Sequence, residues 1–393
     1  SGYQSMARVL KLMNASLNYT WSAEFMAGTW NRILPSRVSD DHMRFMARCA
    51  LAHGCKAIAW FMFHDRDCWG DAPVSSHGHR RPSWAVLQET IDLCFHKINN
   101  WDDLVPQMDT AVIYDLIQHR HTAVGDPMPC NDQVVHVGLP LIGGVQAGIA
   151  TQEYIGLFRL VEQAGYQAGA VDILARPNLL NDYCLAFLPG SPLIERQASR
   201  NLRNWINSGG TLVISGQWPN LDENGKNLQF LDLDKPESCS IGLGRVIWQN
   251  KTLCATTSAE QDDFAAIQLV KDVLINYASK PHVHITVEET VSWVDWKKEG
   301  GGHELFVQPR NLGSAILHRT ADGRCVLFVL NHYPVAVRFS LQFAEEVGYL
   351  QCLDTNHKYA TVNNRLTLDV DRKSANVYLV HQGQYNEQSN TVL

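Results

Sequence analysis

Residues 39–63 read SDDHMRFMARCALAHGCKAIAWFMF. Ser39 is a helix N-cap residue, and Asp40 and Asp41 put negative charge in the first turn, where the free backbone N–H groups favour it. Met43, Met46, Ala47, Ala50 and Leu51 then fall at helical spacing, and Gly54 stops the helix. Lys56 to Phe63 is a nearly continuous apolar run, the pattern of a strand buried on both faces. A capped helix that runs through a glycine into such a strand is a repeat of a parallel α/β fold.

Working outward, Leu17 to Ala23 reads as a preceding strand with Glu24 at its end. Pro82-Ser83 opens a following helix with Trp84, Leu87, Ile91 and Phe95 on one side. Residues 1–104 thus hold two βα units. Residues 105–280 keep the rhythm with other spacings. Strands are expected at Thr110–Tyr114, Ala170–Leu174, Cys184–Leu188 and Thr211–Ser215. Helices are expected at Thr151–Gln163, after Ser191 as N-cap with Ile194, Ala198, Leu202 and Trp205 inward and Gly209-Gly210 at the end, and at Ser258–Tyr277. This is an open doubly wound sheet, flavodoxin-like in outline. A glycine- and proline-rich loop runs from Val124 to Gly148. Residues 281–393 lose helical periodicity. Short alternating runs (His303–Val307, Ala315–Arg319, Cys325–Leu330, Val335–Leu341, Arg365–Val370, Val377–Val380), with turns at Asp322-Gly323 and Asn363-Asn364, read as a small antiparallel β-sandwich. From Gln384 the chain reads as a frayed tail.

The 393 residues are 45% hydrophobic and 19% charged, which excludes disorder over most of the length. Lys and Arg total 33 against 40 Asp and Glu, a net charge of −7 that argues against nucleic acid as a partner. The short patch His77, His79, Arg80 and Arg81 does not change that. No apolar run is long enough to span a membrane, and Ser1-Gly2-Tyr3-Gln4 has no signal-peptide character. The ten cysteines form no C-x-x-C and no zinc spacing, so free thiols in a reducing cytoplasm are expected, with no metal. No G-x-G-x-x-G or Walker lysine is present, and no cofactor is implied.

Two segments offer chemistry. Glu24 stands at a strand end among Trp21, Phe25 and Trp30. A carboxylate at the C-terminal end of a parallel strand lies where barrel active sites form, and it can attack an anomeric carbon while a tryptophan face stacks on a sugar. A solvated glutamate is the plain alternative. Phe63-His64-Asp65-Arg66 and Trp69 follow the second strand and read either as a hydroxyl-binding rim or as a charged loop. Phe187-Leu188-Pro189-Gly190-Ser191-Pro192 has the outline of a nucleophile elbow without G-x-S-x-G or G-x-C-x-G, which argues against a glutamine-amidotransferase-like centre.

The stretch Ala23-Glu24-Phe25-Met26-Ala27-Gly28-Thr29-Trp30 resembles the nucleophile motif of β-galactosidases of glycoside hydrolase families 35 and 42, Glu-aromatic-x-x-Gly followed by Trp. Ala50 to His64 is similar to the helix end and final strand of their barrel. Gly78 to Ser83 resembles the family 42 entry to the last barrel helix, and Ala72 to Ser75 a family 35 segment. Asp109 to Val213 is similar to the flavodoxin-like, trimer-forming domain of family 42, and Leu327 to His332 to its closing β-domain. The family 35 glycine-rich stretch is replaced here by His64-Asp65-Arg66-Asp67, with Cys68 or Trp69 near the place of its tyrosine.

The resemblance implies the C-terminal portion of a retaining glycosidase that cleaves terminal β-galactosides. Residues 1–104 would be the last part of a (β/α)8 barrel, 105–280 the flavodoxin-like domain and 281–393 the β-sandwich. Glu24 would be the nucleophile, and Trp21, Trp30, Phe63, His64, Asp65, Arg66 and Trp69 would contact sugar. A barrel needs about 250 residues, and the Asn-Glu that carries the acid/base residue in the families is absent upstream of Glu24. The sole such pair, Asn386-Glu387, lies in the tail. The acid/base Glu and the rest of the barrel are therefore expected outside this chain, and the assembly is expected to be a homotrimer. The alternative is a non-catalytic oligomerisation or carbohydrate-interaction module. Two βα units with uncovered apolar faces are also expected to yield to protease before residues 105–380.

Overall fold

The computed structural model describes residues 2–30, 39–67, 69–119, 149–233, 238–254, 264–288, 313–333 and 335–383. The Val124–Gly148 loop, the strand expected at His303–Val307, Cys68, the tail from Gln384 and the side chain of Trp30 lie outside the described residues.

The chain opens on a helix the sequence reading did not include, α1 (Gly2–Ser16). Ala7, Leu10 and Ala15 are buried at helical spacing, but so is Lys11, paired with Glu162 at 2.9 Å, and a lysine on the inner face hides the pattern. β1 (Trp21–Met26) therefore starts later than expected, and Glu24 sits within it rather than at its end. β2 (Thr29–Trp30) follows, then α2 (Asp40–Ala52), with the Ser39 hydroxyl accepting from His42 N and Gly54 at φ +84° after its end. β3 (Ala57–Phe61) and β4 (Trp69–Gly70) lead to α3 (Ser83–Asp92), which widens into a π-helical stretch at Leu93–Ile98, and to β5 (Val105–Pro106).

Two expectations change here. β3 is half-exposed along its length, not buried on both faces. Its Ile58 and Trp60 pack toward helices, its one hydrogen-bonded neighbour among the described residues is β1, and Ala59 on its second face is exposed. Ser83, Val86 and Leu87 of α3 and Leu93, Cys94 and Ile98 of the π-helical stretch are buried, whereas Ile91 is 50% and Phe95 73% exposed. A row at i, i+4, i+8 drifts about 40° round the helix at each step, so it leaves the inner face.

The middle of the chain runs β6 (Thr110–Tyr114), α4 (Ile149–Gln163), β7 (Ala168–Asp172), β8 (Leu185–Gly190), α5 (Arg196–Asn207), β9 (Thr211–Gly216), β10 (Cys239–Ile241), β11 (Gly244–Gln249) and α6 (Phe264–Tyr277). The sheet order is β10-β11-β9-β8-β6-β7, with β10 alone antiparallel. The parallel strands thus stand in the order 2-1-3-4-5, that of doubly wound folds such as flavodoxin. Val112, Phe187 and Val213 face Leu157, Phe158, Val270 and Leu274 of α4 and α6. Ala111, Ile113, Ala186, Leu188, Leu212 and Ile214 face Ala198, Leu202 and Ile206 of α5. The period of two sorts the strands onto two covered faces. Ser191 is not the cap of α5. That helix begins four residues after Pro192, with Glu195 at the cap position, and the Ser191 hydroxyl accepts from Leu193 N at 3.4 Å. A residue before proline is steered out of the helical region, which delays the start. Glu153 of α4 is fully buried and accepts from the N–H groups of Leu253 and Cys254 and from the Ser215 hydroxyl.

The last part runs β12 (Val283–Val287), β13 (Gly313–Arg319), β14 (Cys325–Asn331), β15 (Val337–Phe343), β16 (Tyr349–Cys352), β17 (Lys358–Ala360), β18 (Arg365–Val370) and β19 (Ser374–His381). They form sheets β12-β15-β18 and β17-β16-β19-β14-β13-β5. Ile285, Phe339, Leu341 and Leu368 of the first sheet and Leu327, Val329, Leu350 and Tyr378 of the second share one core. The β13–β14 hairpin turns at Asp322-Gly323, and Asn363 and Asn364 both take positive φ between β17 and β18.

Contacts group the chain into two compact units: residues 1–10, 18–107 and 281–393 in one, and 11–17 and 108–280 in the other. Within the first unit, β5 pairs with β13, and His318 Nε2 meets the Ala52 carbonyl at 2.8 Å. Arg48 of α2 makes a two-pronged bond to Asp354, at 2.6 and 2.7 Å, and donates to the Ala375 carbonyl. The segment before residue 104 is thus held by the β-sandwich, so cleavage near residue 104 is expected to release no stable 105–380 fragment in limited proteolysis.

The ion pair gives an asymmetric prediction. The Arg48 side chain is 10% exposed and that of Asp354 32%. Asp354→Ala strands a nearly buried cation and should cost about 3–5 kcal/mol in chemical denaturation. Arg48→Met leaves a carboxylate that water still reaches and should cost about 1–2 kcal/mol. Equal losses would contradict this account.

Candidate active site

The candidate site is the pair of parallel strands β1 and β3 and the segments that leave their C-terminal ends. The register pairs Trp21 with Ala57, Ser22 with Ile58, Phe25 with Trp60 and Met26 with Phe61. Ala23 and Glu24 together span the step opposite Ala59, which is a β-bulge. Phe25 packs beside Ile58 and lies edge-on to Trp60 at 5.3 Å, on the side covered by helices. Ala23 and Glu24 are exposed, as are Trp21 at 50% and Met26 at 43%. The bulge therefore puts the carboxylate on the open side of the sheet. Glu24 is also the one acidic residue on β1 and β3.

Beyond the strands the two segments are stitched together. Ala27 N donates to the Phe61 carbonyl at 2.5 Å, and the Phe61–Met62 peptide is cis. A Cβ on Gly28 would stand 3.0 Å from the Met62 carbonyl oxygen and 3.3 Å from the Ala72 Cβ, so only glycine fits without a shift. β2 then pairs with β4, Thr29 opposite Gly70 and Trp30 opposite Trp69. Trp69 lies edge-on to Phe61 at 5.1 Å.

In the loop after β3, Asp65 is committed to the fold. Arg81 donates to both of its oxygens, at 2.8 and 2.5 Å, and Ala72 N donates at 2.9 Å. The Arg81 hydrogen bonds hold the Asp65 carboxyl below its ordinary range. Phe63, His64 and Arg66 are exposed on the same loop. Phe63 lies edge-on to Trp84 at 5.5 Å, and the Arg80 guanidinium sits 4.5 Å over Trp84. Arg80 and Arg81 stand with His77 and His79 in a short basic stretch of the sequence. Their partners are an aromatic ring four residues on and a carboxylate sixteen residues back, and the second of these has no local signature.

A second perturbed carboxyl lies in the other unit. Asp115 follows β6 at the point where the strand order reverses, the usual ligand crevice of such sheets. It is fully buried and accepts from Ile117 N at 3.2 Å and Glu195 N at 3.3 Å. Burial pushes its pKa up to about 7, with Glu195 and Asp172 adding repulsion. Nearby His119 stacks on Tyr114 at 4.5 Å and shares a 2.8 Å hydrogen bond with the Thr151 hydroxyl, and burial pushes it down to about 4. Among the described residues no His, Cys, Asp and Glu group could hold a metal, and no helix is long and apolar enough to cross a membrane.

Comparison with known proteins adds the following. A family model described as GLMA-like, second domain, matches residues 144–234. No curated protein matches the chain by sequence. A β-galactosidase from Bacillus circulans sp. alkalophilus superposes with TM-score 0.66 at 13% identity, covering 97% of this chain and 58% of that one. A catalytic mutant of a GH42 β-galactosidase from G. stearothermophilus gives 0.65 at 11%, covering 96% and 56%. An α-L-fucosidase isoenzyme 2 from Paenibacillus thiaminolyticus gives 0.55 at 11%, covering 98% and 62%. The chain spans less than two thirds of each of these structures. In fold it is similar to the C-terminal portion of a β-galactosidase-like glycoside hydrolase.

Asp115 gives the chain a measurable pH signature. Below about pH 4 folded and unfolded states both hold its proton. From there to about pH 7 the folded state alone keeps it, so stability should fall as pH rises, by up to about 1.4 kcal/mol per pH unit, and level off above. Asp115→Asn should flatten that slope in denaturation curves taken from pH 4.5 to 8. An unchanged slope would show that Asp115 titrates normally.

Proposed function

We propose that the chain is the C-terminal portion of a retaining β-galactosidase-like glycoside hydrolase acting on terminal β-galactosides, with Glu24 as nucleophile. Residues 1–104 contribute the last βα units of the barrel, 105–280 a flavodoxin-like domain that mediates trimer formation, and 281–393 the closing β-sandwich. The acid/base carboxyl comes from the remaining barrel, outside these residues. The observation that carries the reading is Glu24 on a bulge that turns it to the uncovered side of two parallel strands, in a chain with the fold of GH42 β-galactosidases.

The chemistry follows from one carboxylate here and one elsewhere. A Glu24 oxygen attacks the anomeric carbon as the aglycone oxygen departs with a proton from the acid/base residue. An ester joins sugar and Glu24. The acid/base residue, now a carboxylate, takes a proton from water, which attacks the same carbon and releases Glu24 with the anomeric configuration retained. Such pairs stand about 5–5.5 Å apart. Trp69, Phe63, His64 and Arg66 supply stacking and hydroxyl contacts, and Asp65 and Arg81 hold their loop in place. The scattered thiols suit a reducing, cytoplasmic setting. The second reading, a non-catalytic oligomerisation or carbohydrate-interaction module, draws on the fact that β1 and β3 carry one carboxylate and not two.

In the complete enzyme, Glu24→Gln should lose β-galactosidase activity by several orders of magnitude with an unchanged melting temperature. Azide should partly restore turnover to Glu24→Gly by replacing the nucleophile. A fully active Glu24→Gln enzyme would sink the assignment, and an inert wild type would favour the module. Sedimentation of the complete protein should show a trimer, and a monomer at micromolar concentration would count against the role of residues 105–280.

A further inference from the structure

The β-sandwich carries a cavity of about 260 Å³ at one end, between the start of β12, the β13–β14 hairpin, the segment joining β15 to β16 and the end of β19. It does not involve Glu24. Leu317, Phe343 and Val347 line it and are each less than 10% exposed members of the core. Arg319, Glu345, Arg324 and His381 line it as well. One wall is thus apolar and the other dense in hydrogen-bonding groups.

The polar wall pairs both of its arginines with carboxylates. Arg319 Nη2 donates to both oxygens of Glu345 at 2.8 Å. Arg324 lies 3.4 Å from Asp322, which also lines the cavity, as does Glu346. Two guanidinium groups against three carboxylates leave no excess positive charge for an anion, and the arginines oppose a metal cation. A carboxylate fixed by an arginine keeps lone pairs for hydroxyl donors. His381 is held flat by Tyr349, stacked at 4.3 Å and 9°. His282 completes the rim. Burial lowers the pKa of both imidazoles, so they add no positive charge to the rim at neutral pH.

We propose that this cavity binds a single neutral monosaccharide. A pyranose has an apolar face of C–H groups and a rim of hydroxyls that both donate and accept, which matches the apolar floor and the carboxylate, guanidinium and imidazole rim. The volume lies just under the roughly 300 Å³ at which small-molecule pockets begin, which suits one sugar ring and not a chain.

The test uses the complete protein and the probes D-galactose, D-glucose, glycerol, galacturonate and inorganic phosphate, with binding followed by ligand-observed NMR. One hexose should bind saturably, and at least tenfold more weakly to Glu345→Gln and to the surface variant Arg324→Ala, both with wild-type melting curves. Arg324→Ala should weaken that binding while leaving β-galactosidase turnover unchanged, which separates this site from the strand-end site. Cys325 also lines the cavity, so the bound hexose should slow its alkylation as read by mass spectrometry. The proposal fails if no hexose binds, if galacturonate or phosphate binds in preference, or if Glu24→Gln abolishes binding while Arg324→Ala leaves it intact.

Discussion

Parallel strands are joined by crossover segments that lie across the sheet, so a parallel sheet is ordinarily covered on both faces. In β1 and β3 that cover exists on one side. Leu10, Met43, Ala50, Val86 and Leu87 pack beneath Phe25, Ile58 and Trp60. The other side presents Trp21, Ala23, Glu24, Met26 and Ala59. The half-buried state of β3, the exposure of the carboxylate and the meeting of aromatic residues beyond the strands all follow from that one-sided packing.

So small a sheet cannot hold itself together. Its support is polar as well as apolar. Lys56 donates to the carbonyls of Trp101 and Leu104 and lies 5.1 Å from the Trp101 ring. Trp101 stacks on buried His318, and His318 reaches the Ala52 carbonyl. Arg48 closes the arrangement at Asp354. Trp101, His318 and Arg48 are buried, so the loss of Asp354 or of the Ala52 carbonyl contact leaves a buried polar group unsatisfied. This is why the first and last parts of the chain form one unit although residues 108–280 separate them.

The doubly wound unit solves the same problem in the opposite way. Its strands send alternate residues to two helical layers, and the central strands β8 and β9 are buried throughout. Polar groups survive there where they serve the chain path. Glu153 ties the segment after β11 to α4, and Asp115 ties the start of one helical turn to the cap of α5. Gly210 permits the close approach of the Trp205 ring, which a Cβ would meet at 2.3 Å.

The sequence alone determined what depends on neighbours along the chain. The Ser39 cap, the Gly54 stop, β6, β18 and the Asn363-Asn364 turn all follow from local pattern and backbone preference. Glu24 was legible as a candidate because a carboxylate among aromatics and glycine is an unusual local composition. The tertiary structure decided whatever rests on distant partners. Lys11 breaks the apolar pattern of α1 and takes its place on the inner face only with Glu162 beside it. Asp65 reads as a rim carboxylate until Arg81 closes on it, and Asp115 as an ordinary aspartate until burial removes its water. The bulge that turns Glu24 to the open face depends on a register with β3 that spans more than thirty residues. Local preference acts over a few bonds, whereas burial, charge pairing and strand register are set by groups the chain brings together only on folding.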